Sequence, residues 1–174
     1  MPHSDDIFLL DTNVLLTLFY PFMIKNTMSP YQIFYSKALK NKASFILPAI
    51  QVSEFINRCI RFSYDLYRGD NSTKDFEFKR DYRNTDDYRE KMQSILDIMK
   101  NDILPVFTVV DDHFSEISQE KIYLYGFSYD FNDALLVQIA EKQKSSIITN
   151  DADFANYPTK VNLISANPKL LMFS

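Results

Sequence analysis

The sequence predicts an α/β protein, a three-layer α/β/α sandwich with a central parallel sheet of about five strands. Short apolar runs alternate along the chain with helical patterns, as in proteins whose parallel strands are joined by helices. The runs are continuously apolar, which indicates strands buried on both faces. The chain has 174 residues, 46% of them hydrophobic. This length and composition suit one domain with a sizeable core, so we expect a single domain over residues 1–174.

The first half of the chain predicts two strands and three helices. Apolar runs at residues 7–10 and 44–47 give the strands, and both are followed by residues that favour helix starts. The helices are expected at 14–20, stopped by Pro21; at 31–40, after Ser29-Pro30; and from Pro48 to about Arg68, with Gly69 at the C-cap.

The second half predicts three more strands after a polar insertion at about residues 70–90. We interpret the insertion as a loop that leads into a helix at 86–100. The strands are expected at 106–110, 146–149 and 161–164. Further helices are expected from a cap at Asp111 or Asp112 to about Tyr125, and at 130–142.

Composition excludes several kinds of chemistry. The chain has two glycines, so it carries neither a phosphate-binding glycine loop nor a dinucleotide fingerprint. Cys59 is its one cysteine; it lies in an apolar helical stripe and predicts core packing in a reducing compartment, which favours a cytoplasmic location. With two histidines and one cysteine, chemistry is expected to depend on carboxylates.

Residues 7–24 have the length of a membrane span, yet we expect no membrane association. Asp11 lies inside this segment, and a central aspartate costs about 2.5–3.5 kcal/mol on insertion. Pro21 also interrupts it. A buried strand followed by a buried helix fits the segment better.

Four acidic residues occupy matching positions on the predicted skeleton. Asp11 follows the first strand, and Asp151 follows the fourth. Glu54 lies near the start of the helix after the second strand, and Asp133 lies near the start of the helix before the fourth. In open parallel sheets, ligands bind beyond the carboxyl ends of the strands. These carboxylates can therefore meet if the first and fourth strands are neighbours.

Each acid also has an ordinary structural interpretation. Asp11 is suited to cap the helix that follows it. Glu54 and Arg58 have the i,i+4 spacing of a surface ion pair. Asp130 competes with Asp133 for the third acidic position, and either can cap the helix there. The acids after the fourth strand suit any turn.

A cluster of unpaired carboxylates needs a partner, because like charges held together repel each other. A hard oxygen-only ligand set without His or Cys favours Mg²⁺ or Mn²⁺. Such ions support phosphodiester hydrolysis by activating water and by offsetting phosphate charge.

The motifs around these acids resemble those of PIN domains. Residues 7–16 (IFLLDTNVLL) resemble the opening of that family, and residues 53–55 (SEF) its second motif. Residues 132–136 (NDALL) resemble the third, and residues 148–154 (ITNDADF) resemble the fourth. The order and rough spacing agree along nearly the whole chain. The third motif favours Asp133 over Asp130.

The resemblance implies a Mg²⁺- or Mn²⁺-dependent ribonuclease acting on RNA. It makes Asp11, Glu54, Asp133 and Asp151 the catalytic and metal-binding acids, with Asp153 as a further ligand. It implies supporting roles for Thr12, Asn13 and Thr149. Many small members are VapC-type toxins of toxin-antitoxin pairs, which implies an antitoxin protein as partner and a homodimer. The polar insertion departs from that subclass.

The net charge of −4 does not indicate nucleic acid binding by itself. Candidate contacts to nucleic acid are Arg58, Arg61 and Arg68 on the Glu54 helix. The insertion interleaves basic and aromatic residues, which suits single-stranded RNA, but its acids nearly cancel its positive charge.

Two alternatives remain at this point. The first is a catalytically silent PIN-like scaffold that binds nucleic acid or protein. The second is a phosphatase of the haloacid-dehalogenase type. That class requires a second aspartate two residues after the first, and Asn13 occupies this position.

Overall fold

The computed structural model describes residues 2–23, 27–70, 75–118, 130–156 and 159–171. Within these residues lie five strands: β1 (Ile7–Leu10), β2 (Ser44–Pro48), β3 (Phe107–Val110), β4 (Ser146–Ile148) and β5 (Leu163–Ile164). They form one parallel sheet in the order β3-β2-β1-β4-β5. The prediction of an α/β fold around a parallel sheet is confirmed, and the first and fourth strands are neighbours.

The described helices are α1 (Thr12–Phe19), α2 (Pro30–Lys40), α3 (Ala49–Asp70), α4 (Asp86–Ile98), α5 (Phe131–Gln143) and α6 (Pro168–Leu171). Ser29 caps α2 through a capping box with Gln32, as the predicted start signal implies. The helix α3 continues past the predicted stop at Gly69, which lacks a positive φ angle. A π-helical turn at Met99–Ile103 extends α4.

Helices cover both faces of the sheet. Along β1, Phe8 and Leu10 point to the side of α1 to α4, where they belong to a large core rich in aromatic residues. Leu9 points to the opposite side, where it packs in a second core with the buried face of α5. This alternation follows from the two-residue period of a strand. Because both faces are covered, the strands have the continuous apolar sequences from which they were predicted.

The part of the insertion at residues 75–85 is anchored by aromatic side chains. Phe78 is 7% exposed, and Tyr82 is fully buried. Tyr82 contacts the rings of Tyr64 and Tyr67 on α3 at centroid distances of 5.4 and 5.3 Å. The Tyr64 hydroxyl donates a hydrogen bond of 2.7 Å to the Phe76 carbonyl. Phe78 and Tyr82 therefore belong to the core and are not available to stack on RNA bases.

The predicted helix after Asp111 or Asp112 is replaced, where it is described, by a short 3-10 turn at Phe114–Glu116. The remainder of that prediction, through Tyr125, lies outside the described residues. The Asp112 carboxylate accepts a hydrogen bond of 3.2 Å from the backbone N–H of Ile50, in the first turn of α3. It therefore caps a helix that precedes it in the chain, and its prediction as the cap of a following helix is wrong.

Cys59 is fully buried in the core of the α3 side, as predicted. Burial raises the pKa of its thiol to about 12, so the residue is inert at neutral pH. Among the described helices, none has the length and apolar composition needed to cross a membrane.

Candidate acidic site

Asp11 lies where β1 ends and α1 begins. Its carboxylate accepts a hydrogen bond of 3.4 Å from the backbone N–H of Asn13 and so caps α1, as the ordinary interpretation predicts. Its own backbone N–H donates to the carbonyl of Ile148 on β4 at 2.8 Å. The side chain is 3% exposed. A helix cap does not require this burial, so capping alone does not explain the position of Asp11.

The hydroxyl of Thr149 connects the ends of β1 and β4. It donates a hydrogen bond of 2.9 Å to Oδ2 of Asp11 and accepts one of 2.9 Å from the backbone N–H of Asp151. Thr149 is fully buried. One fixed hydroxyl therefore orients the Asp11 carboxylate and the turn that carries Asp151.

Glu54 lies in the second turn of α3 and is half-buried. Its Oε1 is 3.4 Å from Nη1 of Arg58, the predicted i,i+4 pair. Its Oε2 accepts a hydrogen bond of 3.5 Å from the side-chain amide of Asn132, on α5. Arg58 also donates from Nη2 to Oδ1 of Asn13 at 2.8 Å. Glu54 is therefore linked directly to α5 through Asn132, and to α1 through Arg58 and Asn13.

Asp130 is the N-cap of α5, where its side chain accepts a hydrogen bond of 2.8 Å from the backbone N–H of Asn132. Asp133 follows in the first turn. The pKa of Asp133 is raised to about 8, chiefly by burial and also by the negative charges of four other acids: Asp11, Asp130, Asp151 and Glu54. The charges of the other three predicted catalytic acids, Asp11, Glu54 and Asp151, therefore all act on the Asp133 carboxyl group.

The pKa of Asp11 is also raised. Burial is the main cause, and the charge of Glu54 adds to it. The hydrogen bonds from Thr149 and Asn13 act in the opposite direction, because they stabilise the ionised carboxylate. We call Asp11, Glu54, Asp133 and Asp151 together the acidic edge, since they gather at the carboxyl ends of β1 and β4.

The other predicted residues lie at different distances from the acidic edge. Thr12 is fully buried, and its hydroxyl oxygen has no hydrogen-bond partner among the described residues. Asp153 is exposed and lies farther out, where its backbone N–H donates to Oδ1 of Asp151 at 2.9 Å. Arg61 lines a neighbouring pocket. The guanidinium of Arg68 lies 5.8 Å from the ring of Tyr64, away from the acids.

An open pocket of about 590 Å³ lies beside Asp151. Lys169, at the start of α6, also lines it. The segment before α6 is held there by Tyr31 of α2, whose hydroxyl donates to Oδ1 of Asn150 at 2.9 Å and accepts from the backbone N–H of Ala166 at 3.1 Å. Sequence reasoning missed this wall, because no motif marks Tyr31 or the residues after β5. The residues lining the pocket are Asn13, Leu16, Thr17, Arg58, Asn150, Asp151, Ala152, Asp153, Asn167 and Lys169.

The donors at the acidic edge fit a hard divalent cation. They are oxygen atoms only, they carry excess negative charge, and the buried Thr12 hydroxyl next to them has no described partner. In their present positions, no three acidic, histidine or cysteine side chains among the described residues form a ready metal-binding group. The agreement with Mg²⁺ or Mn²⁺ is therefore one of donor type, oxygen atoms that carry negative charge.

The fold and the acidic edge define a class: an α/β sandwich that gathers carboxylates where neighbouring parallel strands end. A family model for the PIN domain matches residues 8–160 of this chain. The chain belongs to the PIN-domain family, as its motifs predicted. No curated protein sequence matches it.

Solved structures share the fold at low sequence identity. VapBC2 from Rickettsia felis, bound to a DNA fragment from its promoter, gives a TM-score of 0.56 at 17% identity, over 92% of this chain and 99% of that chain. FitAB bound to the IR36 DNA fragment gives 0.52 at 16% identity, over 91% and 94%. PAE2754 from Pyrobaculum aerophilum gives 0.50 at 16% identity, over 98% and 90%. At these identities the likeness concerns the fold.

Proposed function

We propose that this protein is a metal-dependent endoribonuclease that hydrolyses RNA phosphodiester bonds. Asp11, Glu54, Asp133 and Asp151 are its catalytic acids. The observation that carries the proposal is the convergence of four acids from separate parts of the chain, with the pKa of Asp133 raised by all the others. PIN domains are generally nucleases, and such nucleases generally use divalent metals.

Mg²⁺ or Mn²⁺ bound by the four acids, with Asp153 as an additional ligand, would supply an activated water and offset the charge of the attacked phosphate. The chain's own residues prepare the site for this. Thr149 and Asn13 hold the Asp11 carboxylate in one orientation. Arg58 has a cationic head within reach of both Glu54 and the open pocket, where it can bind a phosphate.

We further propose that the protein is the toxin of a toxin-antitoxin pair, with a small antitoxin protein as partner, and that it acts as a homodimer. The support is the fold that the chain shares with the VapBC2 and FitAB complexes, whose structures were solved with bound DNA fragments. A small reading frame beside this gene, whose product co-purifies with the chain, is the expected finding. Absence of such a neighbour would remove the toxin proposal and leave the nuclease proposal intact.

The decisive experiment compares RNA cleavage by the wild-type protein and by Asp11→Asn in Mn²⁺. We expect the substitution to lower cleavage at least a hundredfold, because it removes one charge from the centre of the acidic edge. The matched control is Asp81→Asn, which removes the same charge from the insertion, where the carboxylate is paired with Arg80. Equal cleavage by wild type and Asp11→Asn contradicts the proposal.

A second candidate is a catalytically silent scaffold that binds nucleic acid or protein. One observation favours it: no ready group of metal-binding side chains exists among the described residues. Calorimetry with Mg²⁺ and Mn²⁺ at neutral pH separates the two candidates. Saturable binding that Asp11→Asn weakens supports the enzyme, and no binding supports the scaffold.

A further inference from the structure

A second pocket adjoins the acidic edge. It has a volume of about 240 Å³ and shares Leu16 and Arg58 with the larger pocket beside Asp151. Its other lining residues come from α3 and from the end of α1: Tyr20, Arg61, Phe62 and Asp65. An extended ligand bound at the acidic edge therefore has a continuous path from the pocket beside Asp151 into this second pocket.

The second pocket has an aromatic wall. The Tyr20 ring lies 5.9 Å from the ring of Phe62 in an edge-to-face arrangement, and its hydroxyl is fixed by the Ser63 hydroxyl at 2.8 Å. Phe22 contacts both rings, at centroid distances of 5.4 and 6.1 Å, but is itself 52% exposed. A large aromatic ring held by two others and open to solvent on its remaining face is a stacking surface.

Two cations border this wall: Lys91, and Arg61, which lines the pocket. Lys91 of α4 places its ammonium 5.5 Å from the Phe22 ring centroid. Arg61 and Arg83 place their guanidinium groups 3.9 and 5.3 Å from the ring of Phe78. These three side chains form no ion pair with any described residue. They are therefore positive charges held at fixed positions and available to an anionic ligand.

Acids are present as well. Asp65 lines the pocket, and Asp87 accepts a hydrogen bond of 2.7 Å from the hydroxyl of the buried Tyr82. Against these two stand Arg61 and Lys91, with Arg58, which is paired with Glu54, at the junction of the two pockets. Cations next to an exposed ring suit a polyanion with flat bases, and do not suit a purely apolar peptide.

We propose that the pocket formed by Leu16, Tyr20, Arg61 and Phe62, with Phe22 and Lys91 at its rim, is a subsite for unpaired nucleotides that leave the acidic edge. A base stacks on Phe22, and Arg61 and Lys91 contact phosphates. The inference deepens the proposed ribonuclease function and depends on it for the direction of the path. It makes the substrate single-stranded, because stacking on a protein ring requires a base outside a duplex.

The test measures binding of a labelled single-stranded RNA of about 12 nucleotides in an Asp11→Asn background, in which cleavage is suppressed. We expect Phe22→Ala to weaken binding about tenfold, the effect of losing one stacked base. Arg61→Gln is expected to lower the slope of log affinity against log salt by about 0.7, one phosphate contact on a single strand. Lys40→Gln makes the same charge change at the end of α2 and is expected to leave the slope unchanged.

The chain contains no tryptophan, so Phe22→Trp supplies a single fluorescent reporter. Stacking of a base is expected to quench it, and the same RNA in a duplex is expected to quench it less. Leu39→Trp, exposed on α2, is the control and is expected to keep its emission. This readout reports contact with bases and does not respond to a merely structural role of Phe22.

The outcomes of the two proposals are separate. Unchanged affinity in both Phe22→Ala and Arg61→Gln overturns the subsite, even if wild-type cleavage depends on Asp11. Equal quenching by duplex and single strand also overturns it. Quenching by a protein partner but not by RNA overturns it in favour of a protein-binding groove. Weakened RNA binding in both variants, with no cleavage by the wild type, overturns the ribonuclease proposal and supports the subsite.

Discussion

The acids of the insertion and the acids of the acidic edge show opposite electrostatics within one chain. Asp81 accepts hydrogen bonds of 2.9 Å from Nε of Arg80 and 2.7 Å from the backbone N–H of Glu77, and these interactions hold its pKa below the usual value. Asp133 has its pKa raised to about 8 by burial and by neighbouring acids. The chain can therefore match carboxylates with cations, and it leaves those at the acidic edge largely unmatched.

Glu116 behaves like Asp81. It lies on the surface with Lys142 against it, and that lysine is the main reason its pKa is lowered. At the acidic edge, Arg58 alone among the described cations forms an ion pair, and it does so with Glu54. Asp81 and Glu116 are paired with cations, whereas Asp133 at the acidic edge has its pKa raised by the acids around it. A cation from solution is the simplest way to relieve that repulsion.

The largest expected effect is a loss of stability when the insertion is detached from the core. Tyr82→Ala removes a fully buried ring from between α3 and α4 and is expected to lower the free energy of unfolding by about 3–5 kcal/mol. Urea unfolding measures the change. Tyr82→Phe is the control: it keeps the ring, loses the hydrogen bond to Asp87, and should cost about 1 kcal/mol. A loss below 1 kcal/mol in Tyr82→Ala would show that the ring is not part of the core.

The next largest effect is stabilisation of the folded chain by an ion bound at the acidic edge. Mg²⁺ at about 100 times its Kd should raise the free energy of unfolding by about 2.7 kcal/mol, because it binds only the folded chain. Thermal unfolding with and without Mg²⁺ measures this. The rise should shrink in Asp11→Asn and persist in Asp81→Asn, which removes an equal charge from the insertion. An equal rise in both variants would place ion binding away from the acidic edge.

The smallest effect concerns pH in the metal-free protein. The pKa of Asp133 is about 8 when folded against 3.8 as the ordinary value, so the folded chain holds this proton more tightly. The free energy of unfolding should therefore fall as pH rises from about 4 to about 8. Asp133→Asn should flatten this fall, by about 1 kcal/mol at pH 8 once solvent screening of a partly exposed group is allowed for.

Asp81→Asn provides the contrast in the same pH series. Its lowered pKa stabilises the folded chain above the unfolded pKa, and that contribution is lost as pH falls through the folded pKa. Asp81→Asn should therefore lower stability at neutral pH, and its difference from the wild type should shrink as pH falls through the folded pKa of Asp81, whereas the difference for Asp133→Asn changes between about pH 4 and pH 8. Coincident profiles for the two variants would contradict the electrostatic difference between the regions.

Strands and helix starts were predictable because local sequence determines them. Each predicted strand was found within one or two residues of its expected limits, since continuous apolar runs flanked by turn residues admit few alternatives. Asp112 was assigned to the wrong helix because a cap formed across 62 residues of chain leaves no local signal. The burial of Phe78 and Tyr82 was missed for a related reason. The charged residues around them in the sequence indicate a surface segment, but contacts with α3 bury their rings.

At the acidic site, sequence placed each acid in its element but could not supply the links between elements. The contact from Thr149 to Asp11 joins residues 138 positions apart, and it depends on the adjacency of β1 and β4. The role of Tyr31 in holding the far wall of the pocket was equally invisible, because the tyrosine lies in an otherwise ordinary helix. The strand order of the sheet, which the sequence motifs do not specify, brings the residues of the site together.

The strand order has a consequence for synthesis of the chain. β1 lies at the centre of the sheet, yet its partner β4 is made last but one. At roughly 5–20 residues per second, a ribosome needs on the order of ten seconds to travel between them. Throughout that interval Asp11 lacks Thr149, Asp133 and Asp151. The acidic edge of the nascent chain is therefore incomplete until β4 and the turn after it have been made.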